Sequence, residues 1–192
     1  QDEEDKNYYI GLKFLSLANE WRVNLDMVKK IDPVLRNVVK RCGQSAFINI
    51  IDHERVVCLH KIESNRVVRI TSIIGEEQLF HAGASARMLL AYAPEALVKK
   101  VLSQKLEAFT PFTVTDPELL REDLKQIREK GYCESVEEME PGVAAISVHI
   151  DMCGTDLIMA LTVAGTRFDY ERDRDMWLSV LIEETKNLTT PR

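Results

Sequence analysis

The chain has 192 residues, 45% of them hydrophobic and 29% charged, with a formal net charge of −6 and a pI near 5.3. That composition excludes a disordered tail, and one core can bury most of the apolar surface of a chain this long. The acidic balance, with no cluster of Lys and Arg, argues against this segment embracing a nucleic acid, and with no apolar run near the roughly 18 residues of a membrane span and no signal peptide, a soluble, cytoplasmic protein without a membrane partner is expected.

In chain order, residues 1–6 form an acidic lead, Tyr8-Tyr9-Ile10-Gly11 reads as a short strand, and residues 12–18 are helix-like. From residue 24 to 41, Leu25, Val28, Ile31, Leu35, Val38 and Val39 recur at spacings that predict an amphipathic helix, which Pro33 should kink or break and Gly43 should end. Three Val- and Ile-rich segments follow at 45–51, 56–62 and 67–74, separated by the turn-prone Asp52-His53-Glu54 and Glu63-Ser64-Asn65. They predict an antiparallel meander.

Residues 79–92, LFHAGASARMLLAY, change character midway, from an apolar run through the small residues 82–86 to a helical run. The first amides of a helix have no intrahelical partner and lie at the positive end of its dipole, so this start can receive a carboxylate or phosphate, with Ser85 adding a hydroxyl. The alternative is that small residues merely let a helix pack close to a strand. A helix from Pro94 to about residue 102 comes next, then one capped by Asp116 and Pro117, with Leu120, Leu124 and Ile127 on one face and Gly131 at its end.

Strands are expected at 143–150 and 157–164. In the second, Leu157, Met159, Leu161 and Val163 point one way and Ile158, Ala160, Thr162 and Ala164 the other; in the first, Ala144, Ile146 and Val148 oppose Ala145, Ser147 and His149. A sheet built from them has one face fit to pack on helices and another with room left over. Asp169 should cap a last helix to about residue 188, with Trp177, Val180, Leu181 and Leu188 inward. The sum is one α+β domain: a central, mostly antiparallel sheet, helices from both termini on one face, and a helical insertion, 81–131, bordering the other.

Chemistry-bearing groups are sparse. Cys42, Cys58, Cys133 and Cys153 form no CxxC pair, which argues against a disulfide framework or a zinc ribbon. His149, Cys153 and His81 lack further ligands at metal-binding spacing, and read as core residues, so no cofactor or metal is expected. Cys58 and His60, neighbours on one strand, are expected to face opposite ways. Arg87 is expected to point to solvent or to an acidic neighbour, and Glu137-Glu138-Met139-Glu140 to be a solvated loop before Pro141.

Three blocks in order carry a family likeness: YYIG with LKFLSLA; HAGASARMLLAY with Pro94-Glu95; and KGYCESVEEMEPGVAAISVHI with DMCGTD, LIMALTVAG and a last helix. From residue 8 to 188 the chain resembles the effector-binding part of the IclR family of bacterial transcription regulators. The resemblance implies a winged helix-turn-helix, a linker helix and a GAF-like domain that binds a small molecule. Residues 1–11 would be a lead and the last wing strand, 12–23 the linker helix and 24–190 the effector domain. The DNA-reading helices would lie upstream of Gln1, with DNA bound through them.

Carried over residue by residue, the pocket maps to Ala84 and Ser85 at the helix start, to Ser135, to Ala145, Thr162 and Ala164 on the strands, and to Ile70 and Thr71 as a wall. Two departures remove polar handles: Ser135 stands where the family often has an acid, and Ala164 where it often has a hydroxyl. On this reading a small organic acid docks its carboxylate on the amides of Ala84, Ser85 and Ala86, in a homodimer that can associate further into a tetramer. The rival readings are a GAF-like dimerisation or nucleotide-binding module, or an enzyme, for which no convincing nucleophile and base pair is present.

Overall fold

The computed structural model describes residues 22–151 and 157–189. The expected strand at 8–11, the helix at 12–18 and Cys153 lie outside them. Helix α1 (Arg22–Cys42) leads to strands β1 (Ser45–Asp52), β2 (Arg55–Ile62) and β3 (Glu77–Gln78), helices α2 (Ala84–Tyr92), α3 (Glu95–Leu102) and α4 (Pro117–Lys130), strands β4 (Tyr132–Val136), β5 (Val143–Ile150) and β6 (Met159–Thr166), and helix α5 (Arg167–Thr189). The strands make one antiparallel sheet in the order β3-β2-β1-β6-β5-β4. No described helix is long and apolar enough to cross a membrane.

Alternation along the strands divides the molecule into two layers. Ala46, Ile48 and Ile50 of β1, Ile146, Val148 and Ile150 of β5, and Met159, Leu161 and Val163 of β6 form one core with Met27, Ile31, Leu35 and Val38 of α1 and Trp177, Val180 and Leu181 of α5. The opposite face meets the inserted helices, whose Met88, Leu89, Leu90, Leu97, Val101, Leu120, Leu124 and Ile127 form a second core. Apolar burial at about 25 cal/mol per Å² is the main stabilising term on both sides.

Four local expectations change. Helix α1 continues through Pro33 instead of breaking there. Pro33 sits on the exposed side, while Ile31, Val34 and Leu35 are buried around it, so the ring meets solvent and not the core. Segment 67–74 is not a strand: Val67 is 98% exposed and Ile73 67%, and of its apolar residues Ile70 packs on Phe47, Cys58 and Ala164. The edge of β2 pairs instead with Glu77 and Gln78, and the Gly75 amide donates to the Cys58 carbonyl at 2.9 Å. Segment 132–136, for which no strand was expected, pairs with β5 as β4. The last helix begins at Arg167, two residues before Asp169, whose amide donates to Thr166 Oγ1 at 3.1 Å.

Cys58 and His60 do face opposite layers, but the reason is a bulge. Residues two apart in a regular strand share a face; here Ile48 pairs with His60 and Asn49 with Cys58, so Leu59 is the extra residue. Leu59 joins the helix-side core, His60 bonds Asp32 of α1 at 3.0 Å, and Cys58 clusters with Phe47 and Ala164 on the other side.

Asp169 ties the sheet end to its helix and to the 63–79 loop. Burial alone would raise its carboxyl, but bonds from Arg66, Thr166 and Arg172 outweigh that and hold it at about 2 against an ordinary 3.8. A depressed folded pKa gives stability that is present above pH 3.8 and is lost as the pH falls towards 2. The Asp169→Asn variant should therefore be less stable than the parent at neutral pH, with the gap closing between about pH 4 and pH 2. Urea midpoints measured across that range check it.

Candidate functional site

A cavity of about 180 Å³ lies between the start of α2 and the side of the sheet facing away from α1 and α5. Its floor is Phe47 and Asn49 of β1, Ala145 of β5, and Thr162 and Ala164 of β6; its walls are Ile70, Thr71 and Ser72 from the loop before β3, Gln78, and Ser135 with Met139; the start of α2 closes it with Gly83, Ala84 and Ser85. A larger groove, about 730 Å³, runs over Arg36, Lys40 and the 62–66 turn. That groove is an outer surface edged by charged, solvent-facing side chains, whereas the smaller cavity has a buried floor. A selective site needs enclosure with a few fixed polar groups, and the smaller cavity has both.

The sequence explains why the space exists. The residues that β5 and β6 turn towards it are mostly short, Ala145, Thr162 and Ala164 beside Val143, where the other face of the same strands carries Ile146, Leu161 and Val163. The helix that should fill the gap begins with Gly83 and Ala84, so its backbone and not its side chains meets the sheet. Gly83 has φ 85 and ψ 153, a conformation that disfavours any L side chain, and α2 carries no side-chain cap. Uncapped first-turn amides beside a cavity are an available set of donors.

Eight of the nine residues assigned from the sequence line this one cavity: Ile70, Thr71, Ala84, Ser85, Ser135, Ala145, Thr162 and Ala164. Ala86 does not; its side chain is fully buried in the helical core. Thr162 donates to Ser147 Oγ at 2.9 Å, and Ser147 to the Leu161 carbonyl at 3.3 Å, a bonded pair beneath the floor. Ser85 Oγ lies 3.4 Å from Gln78 Oε1.

Glu138 overturns the expectation of a solvated loop. It is 8% exposed; its Oε2 accepts the Gly83 amide at 3.2 Å and its Oε1 accepts from Arg87. Burial raises the Glu138 carboxyl, opposed by Arg87, the Gly83 amide and Ser135. Arg87 itself is buried, paired with Asp123 and Glu138, and donates to the Glu134 carbonyl at 2.6 Å. It turns to acidic neighbours, not to solvent, and does not line the cavity. An internal carboxylate thus occupies one amide at the helix start, leaving the following ones free of a side-chain cap. Next to it, Glu137 accepts the Gly142 amide at 2.8 Å and pairs with Arg167.

Other candidates sit elsewhere. His81 bonds the Glu107 carbonyl at 2.8 Å and stacks on Phe109. His149 stacks on Tyr92 with ring centroids 3.9 Å apart, and burial lowers its pKa. Cys133 is buried beside the Arg87 cluster, its thiol pushed up to about 12 by that burial. Among the described residues no group of three or more His, Cys, Asp or Glu is placed to hold a metal ion. Sequence reasoning did not assign Phe47, Asn49, Ser72, Gln78, Met139 or Val143 to the lining. Strand alternation carried a signal for Phe47 and Asn49; Gln78 and Met139 are set by loop paths.

Comparisons with known proteins identify the family and the fold. Residues 21–188 match the family model described as bacterial transcriptional regulator IclR C-terminal. The chain is 28% identical over 165 residues to the HTH-type transcriptional regulator BhcR of Paracoccus denitrificans, covering 85% of this chain and 59% of that protein. It is 29% identical over 175 residues to the HTH-type transcriptional regulator KdgR of Escherichia coli, covering 90% of this chain and 66% of that one. The chain thus spans about three-fifths of the relatives' length. Among solved structures, an IclR homolog complexed with 4-hydroxybenzoate from Microbacterium hydrocarbonoxydans superposes with a TM-score of 0.82 at 25% identity, over 93% of this chain and 73% of that one.

The Arg87 cluster makes a direct prediction. Arg87→Met leaves Glu138 and Asp123 near each other without their cation, and breaking a buried pair in this way costs about 3 kcal/mol or more. Adding Glu138→Gln should recover part of that loss, because the uncompensated charge goes with it. Denaturant unfolding of the two variants checks both statements.

Proposed function

Because this chain belongs to the IclR C-terminal family of bacterial transcriptional regulators, we propose that it is the effector-sensing domain of such a regulator and that its effector is a compact organic acid. The observation that carries the reading is the cavity whose one end is an uncapped helix start and whose buried floor carries the short side chains of Ala145, Thr162 and Ala164 beside Phe47 and Asn49. Its volume of about 180 Å³ corresponds to roughly six water molecules. That is below the ~300 Å³ at which drug-sized sites begin, so the ligand is small.

In this reading the carboxylate lies on the amides of Ala84, Ser85 and Ala86, where the helix dipole favours negative charge. Ala86 contributes through its backbone only. Ser135 and Thr162 contact other polar atoms of the ligand, and Ile70, Ala145 and Ala164 pack its carbon skeleton. The cavity carries no basic side chain, so the amides and hydroxyls supply all the recognition of charge. That one structural relative is a complex with 4-hydroxybenzoate supports an acid of this size.

Residues 1–11 and 12–23 would serve as the end of a winged domain and as the linker helix, with DNA bound through the N-terminal domain and the chain working as a homodimer or tetramer. Binding alters DNA affinity only if the ligand prefers one arrangement of subunits over another. Among the described residues the cavity lining presents binding groups and no nucleophile beside a base, which supports sensing over turnover.

A panel of small carboxylates screened by thermal shift tests this. At a hundred times its dissociation constant a ligand adds about 2.7 kcal/mol, a rise of roughly 5–10 °C for a chain of this size. Ser85→Trp, which fills the cavity, should abolish the shift while leaving the unliganded protein folded. An acid that binds Ser85→Trp as well as the parent would refute the site.

A further inference from the structure

Asn49 is the residue that the account so far leaves without a purpose. It stands on β1 between Ile48 and Ile50, which point into the helix-side core, so its own side chain turns to the cavity, where it lines the floor with Phe47. It is 2% exposed. Its cross-strand neighbours are Cys58 and Ala160, neither able to satisfy a carboxamide, and its amide faces the open space of the cavity. The Ser72 hydroxyl lies on the loop wall of the same cavity.

Folded proteins leave few buried polar side chains unpaired, and each exception needs a reason. The other buried polar groups of this cavity have theirs: Thr162 is bonded to Ser147, and Ser135 faces Glu138. A carboxamide offers two N–H donors and a carbonyl acceptor but no charge. Its natural complement is a neutral group that both gives and takes a hydrogen bond, and a hydroxyl is the smallest such group that fits the space.

We infer that Asn49 is a specificity-determining residue that reads a hydroxyl on the bound acid, so that the effector is a hydroxy acid and not a plain carboxylic acid. This rests on the organic-acid reading above and adds a second recognition point on the floor to the one at the helix start. A site built to hydrogen-bond a hydroxyl rejects the analogue lacking it, because the protein group is then left buried and unpaired.

The test is isothermal titration of the full 192-residue chain with matched pairs: butyrate against 3-hydroxybutyrate, and benzoate against its 2-, 3- and 4-hydroxy derivatives. The parent should bind at least one hydroxy acid about tenfold or more tighter than its plain counterpart. In Asn49→Leu that preference should shrink to under about threefold, through loss of affinity for the hydroxy acid. The unliganded variant should melt no lower than the parent, since an apolar group of similar size replaces an amide that faces the cavity. If Asn49→Leu fails to fold, Asn49→Ala carries the same comparison. No hydroxyl preference in the parent, or one that survives both substitutions, overturns the inference while the organic-acid reading stands. Failure of every acid to bind the parent overturns both.

Discussion

The structure depends on one inequality between the two faces of a sheet. Strands β5 and β6 turn Ile146, Val148, Met159, Leu161 and Val163 towards α1 and α5, where they are buried in one core. On the other face the same strands offer Ala145, Thr162 and Ala164. Close packing is the default of protein interiors, so a face of small residues must be met either by an intruding side chain or by a ligand-sized void. Here it meets the start of α2, which has only Gly83 and Ala84 to offer. The void is thus written into both partners.

What keeps that void from collapsing is a set of ionic and hydrogen-bonded ties around the helix start. Arg87, one turn into α2, is anchored to Asp123 of α4, to Glu138 and to the β4 carbonyl of Glu134. Glu138 in turn holds the Gly83 amide, and Glu137 stitches the same loop to Gly142 and Arg167. Several elements therefore converge on one short stretch of backbone. Buried pairs of this kind add little net stability over apolar packing, but they fix geometry, and a rigid rim around a small cavity serves recognition by limiting what must be ordered on binding.

Much of this was legible in the chain itself. Period-two alternation in 143–150 and 157–164 was enough to separate the two faces, because strand side chains have no third direction to take. The Asp116 cap, with its side chain accepting the Glu118 and Leu119 amides, and the end of α4 at Gly131 also followed from local chemistry. The failures are equally physical. Segment 67–74 has strand composition but leaves Val67, Val68, Ile73 and Ile74 exposed, and composition does not reveal whether a partner layer exists. The burial of Glu138 depends on Arg87, 51 residues away, a pairing that no local pattern encodes. Asn49 was passed over because a single amide in a Val- and Ile-rich strand looks like an interruption; only the cavity in front of it gives it meaning.

The central claim is that the small cavity, and not the larger groove beside Arg36 and Arg66, is where the effector sits. A crystal structure of the chain with an acid that raises its melting temperature tests this most directly. The account predicts electron density for the acid between Ala84, Ser85 and the floor of Phe47, Asn49 and Thr162, with the carboxylate on the α2 amides. Density in the outer groove, with the cavity holding only water, would contradict it.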